Sequence, residues 1–260
     1  MPPKKKKSSS SSGARLFILF TVLAAVGGMA YLVYLWSETR GERFVTYEEF
    51  GIPMPVHYGI HGIDVSRYQQ RISWKAVSKM EVEGIRLGFA FIKATEGVSR
   101  VDPFFKRNWK NSKEAGIVRG AYHFFIASKD GRAQAKHFIE HVVLESGDMP
   151  PVLDVEKTFR VPSARLREEV KEWLLIMEEY YNVKPIIYTN ADFYKQHLQG
   201  HFDNYPLWVA HYLQPHQPRV SRDWSFWQHS EQGKVDGILS KVDFNVFKGD
   251  SVEFRSLLVP

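Results

Sequence analysis

Residues 150–190 have the sequence PPVLDVEKTFRVPSARLREEVKEWLLIMEEYYNVKPIIYTN, in which two short apolar runs enclose a helical pattern. Ser163, after Pro162, is the expected N-cap of the helix. One helix face carries the apolar stripe Leu166, Val170, Trp173, Leu174, Met177 and Tyr181, which predicts packing against a core. A strand, a helix and a second strand in this order are typical of a parallel sheet covered by helices.

The same alternation occurs on both sides of this stretch. The runs HGIDVS, RLGFAFIKA, IVRGAYHFF, PPVLDVE and KPIIYTN are each followed by a helical pattern. After residue 205 the runs PLWVAHY, WSFWQHS and VDFNVF have no long helix between them. The sequence therefore predicts an α/β fold, an irregular TIM-like barrel of five β-α units followed by three strands, over residues 59–250. Residues 251–260 are expected to be a C-terminal tail.

The N-terminal region predicts a membrane anchor. Residues 1–15 are polar and basic, which predicts a disordered cytoplasmic tail. Residues 16–36, LFILFTVLAAVGGMAYLVYLW, carry no charge and, at about 1.5 Å per residue, span roughly 30 Å of hydrocarbon. A cleaved signal peptide has an apolar region of only about 7–15 residues and a small-residue cleavage site, which favours an uncleaved transmembrane signal anchor here. Residues 37–58 are predicted to be a linker.

The charge distribution gives the orientation of this helix. Lys4, Lys5, Lys6, Lys7 and Arg15 precede it without any acid. The positive-inside rule then predicts a single-pass protein of the cytoplasmic (inner) membrane, with its N-terminus inside and a periplasmic or otherwise extracytoplasmic catalytic domain. The rest of the chain has 30 basic and 29 acidic residues, so the net charge of +6 lies almost entirely in the tail. This distribution argues against nucleic acid as a partner. The absence of cysteine excludes disulfides and thiolate chemistry.

Acidic residues lie where the predicted strands end. Asp154 and Glu156 are two residues apart, so their side chains leave the same face of a strand with Cα atoms roughly 6.5–7 Å apart. Carboxyl groups this close raise the pKa of one member, which can then protonate a departing glycosidic oxygen while ionised neighbours stabilise positive charge on the sugar. Asp64 and Asp243 are expected in the same barrel mouth.

Further side chains are candidates for binding a sugar chain. The aromatic residues Tyr122, Tyr188, Trp208 and Trp227 offer faces for stacking on sugar rings, and Asn190 and Gln228 offer amides at strand ends. Two histidines, His123 and His211, are interpreted either as core residues or as ligands.

Eight motifs carry a resemblance to a known family: GIDVSRYQ (62–69), FIKATEG (91–97), GAYHFF (120–125), PVLDVE (151–156), IIYTN (186–190), LWVAHY (207–212), WQHS (227–230) and VDFNVF (242–247). In this order, over about residues 60–248, the sequence resembles the family-25 glycoside hydrolases, which are lysozymes of the N-acetylmuramidase type.

The resemblance implies an enzyme that hydrolyses the β-1,4 bond between N-acetylmuramic acid and N-acetylglucosamine in peptidoglycan. It also implies that Glu156 is the proton donor, that Asp154 assists at the anomeric carbon, and that Asp64 and Asp243 flank the site. The spacing of the acids is compatible with both inversion and retention, and the N-acetyl groups of the substrate favour acetamido-assisted retention. Carboxylates and water suffice for this chemistry, so no cofactor and no metal are expected.

Three alternatives are considered. His137, Glu140 and His141 match the H-x-x-E-H pattern of a zinc peptidase. The apolar stripe of that helix is expected to turn both histidines toward solvent without a third ligand, which argues against zinc. A non-catalytic, tethered peptidoglycan-binding module would use the same barrel mouth, but the intact acids argue against it. A chitinase-like glycosidase would share the paired acids.

Overall fold

The computed structural model describes residues 11–38 and 44–260, which fall into two units. The first contains helix α1 (Ser11–Glu38). Within it, Leu16–Tyr34 is long and apolar enough to cross a membrane, by length and composition. Most of the predicted basic tail, residues 1–10, and residues 39–43 of the predicted linker lie outside the described residues.

The second unit, Phe44–Pro260, contains all the strands of the described residues. The strands are β1 (Phe44–Tyr47), β2 (Ile52–Pro55), β3 (Ile60–Val65), β4 (Glu81–Val82), β5 (Ile85–Glu96), β6 (Arg100–Val101), β7 (Val118–Phe124), β8 (Val152–Asp154), β9 (Ile186–Asn190), β10 (Leu207–Ala210), β11 (Phe226–Gly233) and β12 (Val242–Phe247). The helices are α2 (Trp74–Val77), α3 (Phe105–Glu114), α4 (Gly131–Ile139), α5 (Ser163–Tyr181), α6 (Ala191–Phe193) and α7 (Ser251–Leu257). Single turns of 3-10 helix (Arg67–Gln69) and π-helix (Tyr194–Leu198) complete the elements.

Eight strands close into a barrel in the order β3, β5, β7, β8, β9, β10, β11, β12 and back to β3. The pairings from β3 to β11 are parallel, whereas β12 runs antiparallel to both of its neighbours. Helices α2 to α6 follow the first five barrel strands, and no helix lies between the last three. The predicted barrel of five β-α units and three further strands is therefore confirmed.

Aromatic side chains fill the inside of the barrel. Phe91 stacks on Trp208 with ring centroids 4.1 Å apart, and Phe89 meets Phe226 edge-on at 5.3 Å. The neighbouring strand leaves room for Phe89 only because residue 62 is glycine, where a Cβ would lie 2.5 Å from the Phe89 ring. This packed layer forms a floor under the open end of the barrel, so a ligand can enter only from the mouth.

Helix α5 packs as its pattern predicts. Leu166, Val170, Trp173, Leu174 and Met177 are all buried. The predicted N-cap is wrong, since Ser163 is the first helical residue and Pro162 occupies the cap position. The Ser163 hydroxyl instead hydrogen-bonds His197 Nδ1 at 2.7 Å.

Residues 44–58 differ from the predicted linker because they form an antiparallel hairpin, β1–β2. Phe50 and Met54 are fully buried, and Phe50 meets Phe244 of β12 edge-on at 5.4 Å. Phe44 likewise contacts Trp227 of β11 at 5.9 Å. The hairpin therefore covers the outer face of the strands that carry no helix.

The C-terminal residues are also part of the folded domain instead of a tail. Asp250 caps α7 through hydrogen bonds to the backbone N–H groups of Val252 and Glu253. Phe254 of this helix is buried and contacts Phe89 and Phe247 of the inner barrel layer at 5.7 and 5.2 Å. Helix α7 thus closes the bottom of the barrel, opposite the mouth.

Candidate active site

The mouth of the barrel is formed where the parallel strands end and β12 begins. It encloses a cavity of about 260 Å³. The cavity is lined by Asp64, Ser66, Tyr68, Lys93, Tyr122, Phe124, Asp154, Glu156, Tyr188, Trp208, Tyr212, Gln228, Glu231 and Asp243. All four predicted acids, and the predicted Tyr122, Tyr188, Trp208 and Gln228, therefore lie around one cavity.

Asp154 and Glu156 enter the mouth from the end of β8. Between them Val155 is buried in the outer core and donates its N–H to Tyr188 O at 2.9 Å, so the in-and-out alternation of the strand continues to Glu156. Asp154 is buried, and its Oδ1 has no hydrogen-bond partner among the described residues. Burial raises the pKa of both carboxyl groups, and the nearby Glu156 raises that of Asp154 further. The pair therefore holds a proton more readily than two carboxylates in water.

Asp64 and Asp243 form a second acidic pair. They are direct partners in the register of β3 and β12. Asp64 Oδ2 accepts hydrogen bonds from Gln228 Nε2 at 2.7 Å and Asn245 Nδ2 at 2.8 Å. Burial raises the pKa of Asp64 to about 6, although these bonds oppose the rise. Burial and the charge of Asp64 raise the pKa of Asp243 to about 9, so at neutral pH Asp243 is protonated and Asp64 is ionised.

A hydrogen-bond chain fixes the orientation of Gln228. Its Oε1 accepts hydrogen bonds from the hydroxyl groups of Tyr188 at 3.0 Å and Tyr212 at 2.6 Å. Because two hydroxyls occupy this oxygen, the Gln228 amide nitrogen must point to Asp64. Asn245 is fixed in a similar way, since its Oδ1 accepts a hydrogen bond from Trp208 Nε1 at 2.7 Å.

A second cavity of about 730 Å³, the outer groove, adjoins the mouth. It lies over the ends of β3, β5, β7 and β8 and is lined by Arg67, Tyr68, Lys93, Glu96, Gly97, Val98, Ser99, Arg100, Phe124, Ile126, Lys129, Glu156, Lys157 and Phe159. Tyr68, Lys93, Phe124 and Glu156 line both cavities. Glu156 therefore stands at the junction of one continuous groove.

Two predicted binding residues lie elsewhere. Trp227 is fully buried in the outer core, where it contacts Phe44 and donates its Nε1–H to His211 O at 2.9 Å. Its position on β11 between Phe226 and Gln228, which face inward, turns it away from the mouth. Asn190 caps α6 by accepting a hydrogen bond from the Phe193 N–H at 2.8 Å, and it does not line the cavity. Neither Trp227 nor Asn190 therefore lines the mouth.

Sequence reasoning missed Lys93, Tyr212, Glu231 and Asn245. Asn245 is two residues from Asp243, so the alternation used for Asp154 and Glu156 would have placed it on the inner face. Lys93 follows the apolar run of β5 in FIKATEG, where an isolated cation signals a polar inner position. Tyr212 and Glu231 come from loop and strand-end geometry that the sequence pattern does not specify.

The histidines lie outside the mouth. His123 is buried, hydrogen-bonds Thr95 Oγ1 at 2.7 Å and stacks on Trp173, so it is a core residue. His211 Nδ1 accepts the N–H of Arg219 at 3.1 Å. His137 is also buried, which contradicts its predicted solvent-facing position, and its Nε2 donates to Arg100 O at 3.1 Å. His137, Glu140 and His141 come within metal-ligand spacing of one another, but none of them lines the mouth or the outer groove.

Comparisons with known proteins agree with this geometry. The sequence matches the family described as glycosyl hydrolases family 25 over residues 63–238. The protein YegX of Escherichia coli strain K12 is 50% identical over 211 residues, which cover 81% of this chain and 78% of that protein. Lysozyme M1 of Streptomyces globisporus is 34% identical over 217 residues, covering 76% of this chain and 71% of the lysozyme.

Solved structures give the same result. A family 25 glycosyl hydrolase from Bacillus anthracis has a TM-score of 0.73 and 31% identity to this chain, covering 82% of this chain and 99% of that one. The family match spans more than half of this chain and includes four of the five acids of the mouth, namely Asp64, Asp154, Glu156 and Glu231. The chain therefore belongs to the glycosyl hydrolases family 25 and is a glycoside hydrolase.

Proposed function

We propose that this protein is a membrane-anchored lysozyme that hydrolyses the β-1,4 bond between N-acetylmuramic acid and N-acetylglucosamine in peptidoglycan. The observation that carries the proposal is the pair Asp154 and Glu156, which enters one cavity together with Asp64 and Asp243. The substrate is proposed by similarity to Lysozyme M1.

Glu156 is the proton donor in this proposal. It is the less buried member of its pair and stands where the mouth meets the outer groove, so a glycosidic oxygen bound across the junction can reach it. Burial raises its pKa, which favours the protonated form that a general acid needs. The proton goes to the leaving oxygen as the bond to the anomeric carbon breaks. Glu156 then acts as the base that deprotonates the incoming water.

Asp154 assists at the anomeric carbon. It lies deeper in the mouth than Glu156, and its unpartnered Oδ1 is available to a substrate group. Positive charge that develops on the sugar ring favours the ionised form of Asp154 and leaves the shared proton on Glu156. In an acetamido-assisted retaining route, the same carboxylate stabilises the charge on the participating acetamido group.

Asp64 and Asp243 together supply one further negative charge to the site. The amides of Gln228 and Asn245 hold Asp64 in place, and the proton on Asp243 leaves this pair with a single negative charge. A fixed charge at the mouth stabilises a cationic transition state without reorganising during the reaction. Tyr122, Tyr188 and Trp208 provide the walls against which a sugar ring packs.

The N-terminal helix is the proposed membrane anchor. The span Leu16–Tyr34 and the five basic residues that precede it support a single-pass protein of the cytoplasmic membrane with its N-terminus inside and its barrel outside. Protease treatment of intact spheroplasts tests this topology. The barrel is expected to be digested from outside, and its protection would place it in the cytoplasm.

The enzymatic proposal is tested on purified peptidoglycan. Incubation with the fragment 44–260, followed by mass spectrometry of the released fragments, is expected to give muropeptides that end in reducing N-acetylmuramic acid. Reducing N-acetylglucosamine ends would contradict the proposed bond, and cleavage of chitin at an equal rate would favour a chitinase-like enzyme. Binding of peptidoglycan without any cleavage would favour a tethered binding module.

A further inference from the structure

The outer groove differs from the mouth in its charge. The mouth is lined by five acids and one lysine, namely Asp64, Asp154, Glu156, Glu231, Asp243 and Lys93. The outer groove is lined by five cations and two acids, namely Arg67, Lys93, Arg100, Lys129, Lys157, Glu96 and Glu156. One continuous groove therefore changes from acidic to basic at Glu156.

Acidic side chains of the described residues pair with only part of this positive charge. Glu96 pairs with Lys93 at 2.7 Å and with Arg100 at 2.8 Å. Arg67, Lys129 and Lys157 form no ion pair with a described residue. The guanidinium of Arg67 lies over the Tyr68 ring at 5.3 Å, and Lys157 Nζ lies 5.6 Å from the centroid of the Phe124 ring.

The proposed bond cleavage does not account for all of these cations. Lys93 and Lys157 lie near Glu156 and lower its pKa, so they take part in setting the proton donor. Arg67 and Lys129 do not act on Glu156 in this way, and the sugar rings of the glycan carry no anion for them to bind. Unpaired cations in a groove of this size indicate an anionic ligand group.

We propose that the outer groove binds carboxylate groups of the peptide stem carried by the N-acetylmuramic acid next to the cleaved bond. This inference rests on the proposed function, because peptidoglycan is the substrate that presents acidic peptides beside the scissile sugar. The groove also offers apolar surface from Phe124, Ile126 and Phe159, which suits the alkyl parts of a peptide. Arg67 and Lys129 would hold the carboxylates.

The test compares soluble, uncrosslinked glycan chains that retain their stems with the same chains after carbodiimide coupling to ammonia has converted the stem carboxylates to amides. For the wild-type fragment 44–260, we expect kcat/KM to be about tenfold higher on the chains with free stem carboxylates. The double variant Arg67→Gln/Lys129→Gln should reduce this preference by about five- to tenfold, from two exposed charge pairs. The pH profile should stay unchanged, and added salt should weaken the wild-type preference. The control Lys136→Gln/Lys171→Gln removes two exposed lysines outside the groove and should keep the preference.

Equal kcat/KM of the wild type on both substrates would overturn the inference while leaving the lysozyme proposal intact. The same holds if the double variant slows both substrates equally. If neither substrate is cleaved, the proposed function fails. Co-sedimentation of Glu156→Gln with crosslinked peptidoglycan then shows whether the protein binds the polymer, and gel-shift binding to the two soluble chains decides the groove separately. Tighter binding of the chains with free stem carboxylates supports the inference, and equal binding overturns it.

Discussion

Asp243 lies directly opposite Asp64 in the antiparallel pairing of β12 with β3. The parallel barrel strands present their carboxyl ends at the mouth, whereas β12 presents its amino end. The second residue of β12 therefore reaches the same cavity as the fifth residue of β3. Because both side chains are buried, the pKa of each is raised, and the pair carries one proton at neutral pH.

This shared proton predicts a dependence of stability on pH. Asp243 stays protonated in the folded state up to about pH 9 but ionises in the unfolded chain above about pH 4. The folded state thus binds more protons, so this contribution is present below about pH 4 and is lost as the pH rises toward 9. As the pH rises, the free energy of unfolding of Asp243→Asn should fall less steeply than that of the wild type. The two slopes should differ by up to about 1.4 kcal/mol per pH unit.

Urea unfolding between pH 5 and 8 measures this difference. The exposed Asp236 provides the matched control Asp236→Asn, which should follow the wild type. Parallel curves for Asp243→Asn and the wild type would show that Asp243 is ionised in the folded protein.

Asp154 is expected to be needed for activity and to lower the stability of the folded protein. Its buried carboxyl lies beside Glu156 and lacks a partner for Oδ1 among the described residues. Asp154→Asn removes the like-charge repulsion and the burial of a charge, so we expect the free energy of unfolding to rise by about 1 kcal/mol at pH 7. Activity on peptidoglycan should fall by about 100-fold or more. A loss of stability would mean that Asp154 makes structural contacts in its ionised form.

Substitutions of Tyr188 and Trp227 are expected to change different properties, the first catalytic activity and the second stability. Tyr188→Phe frees Gln228 Oε1 from one hydroxyl and loosens the amide that holds Asp64, so kcat/KM should fall by several-fold. Trp227→Phe lies outside the mouth and should lower stability by about 1–3 kcal/mol with kcat/KM unchanged. Enzyme kinetics and urea unfolding of both variants test these expectations. A raised KM for Trp227→Phe would show that Trp227 contributes to substrate binding.

The hairpin should be part of the folding unit. Phe50 is fully buried against Phe244, so Phe50→Ala should cost about 3–5 kcal/mol. The control Val56→Ala changes an exposed side chain and should stay within about 0.5 kcal/mol of the wild type. Urea unfolding of both variants measures the difference. Equal stability of the two variants would mean that the barrel folds without the hairpin.

The sequence was sufficient for the barrel because its signals are local. The apolar stripe of α5 and the run PPVLDV have the periods of a helix and of a strand, and each period is readable within a few residues. The prediction that Asp154 and Glu156 share the mouth rests on the same alternation, whereas the prediction for Asp64 and Asp243 rests on strand ends. Asp243 lies in the mouth as predicted, but it does not lie at the end of a strand. It lies at the start of β12 and reaches the mouth because β12 is antiparallel.

The errors arose where long-range contacts decide the structure. Residues 44–58 contain Gly51, Pro53 and Pro55, a composition that also fits a linker. Phe50 is buried there because the outer face of β11 and β12 carries no helix. Trp227 and Gln228 are adjacent on β11, so their side chains point to opposite faces of the strand. An error of one residue in the predicted register is therefore enough to place Trp227 in the mouth. Asn190 directly precedes a helical pattern, and asparagine is favoured at helix N-caps, so the strand-end argument overlooked a local signal for its capping role.

The central claim is that Glu156 supplies the proton for glycosidic cleavage, and the rate of Glu156→Gln on purified peptidoglycan tests it most directly. The amide keeps the shape of the side chain but has no proton to transfer at neutral pH. We expect a loss of about 10²–10⁴-fold in kcat with an unchanged fold, whereas Glu168→Gln on the exposed side of α5 should retain wild-type activity. A Glu156→Gln enzyme within about threefold of the wild-type rate would contradict the account.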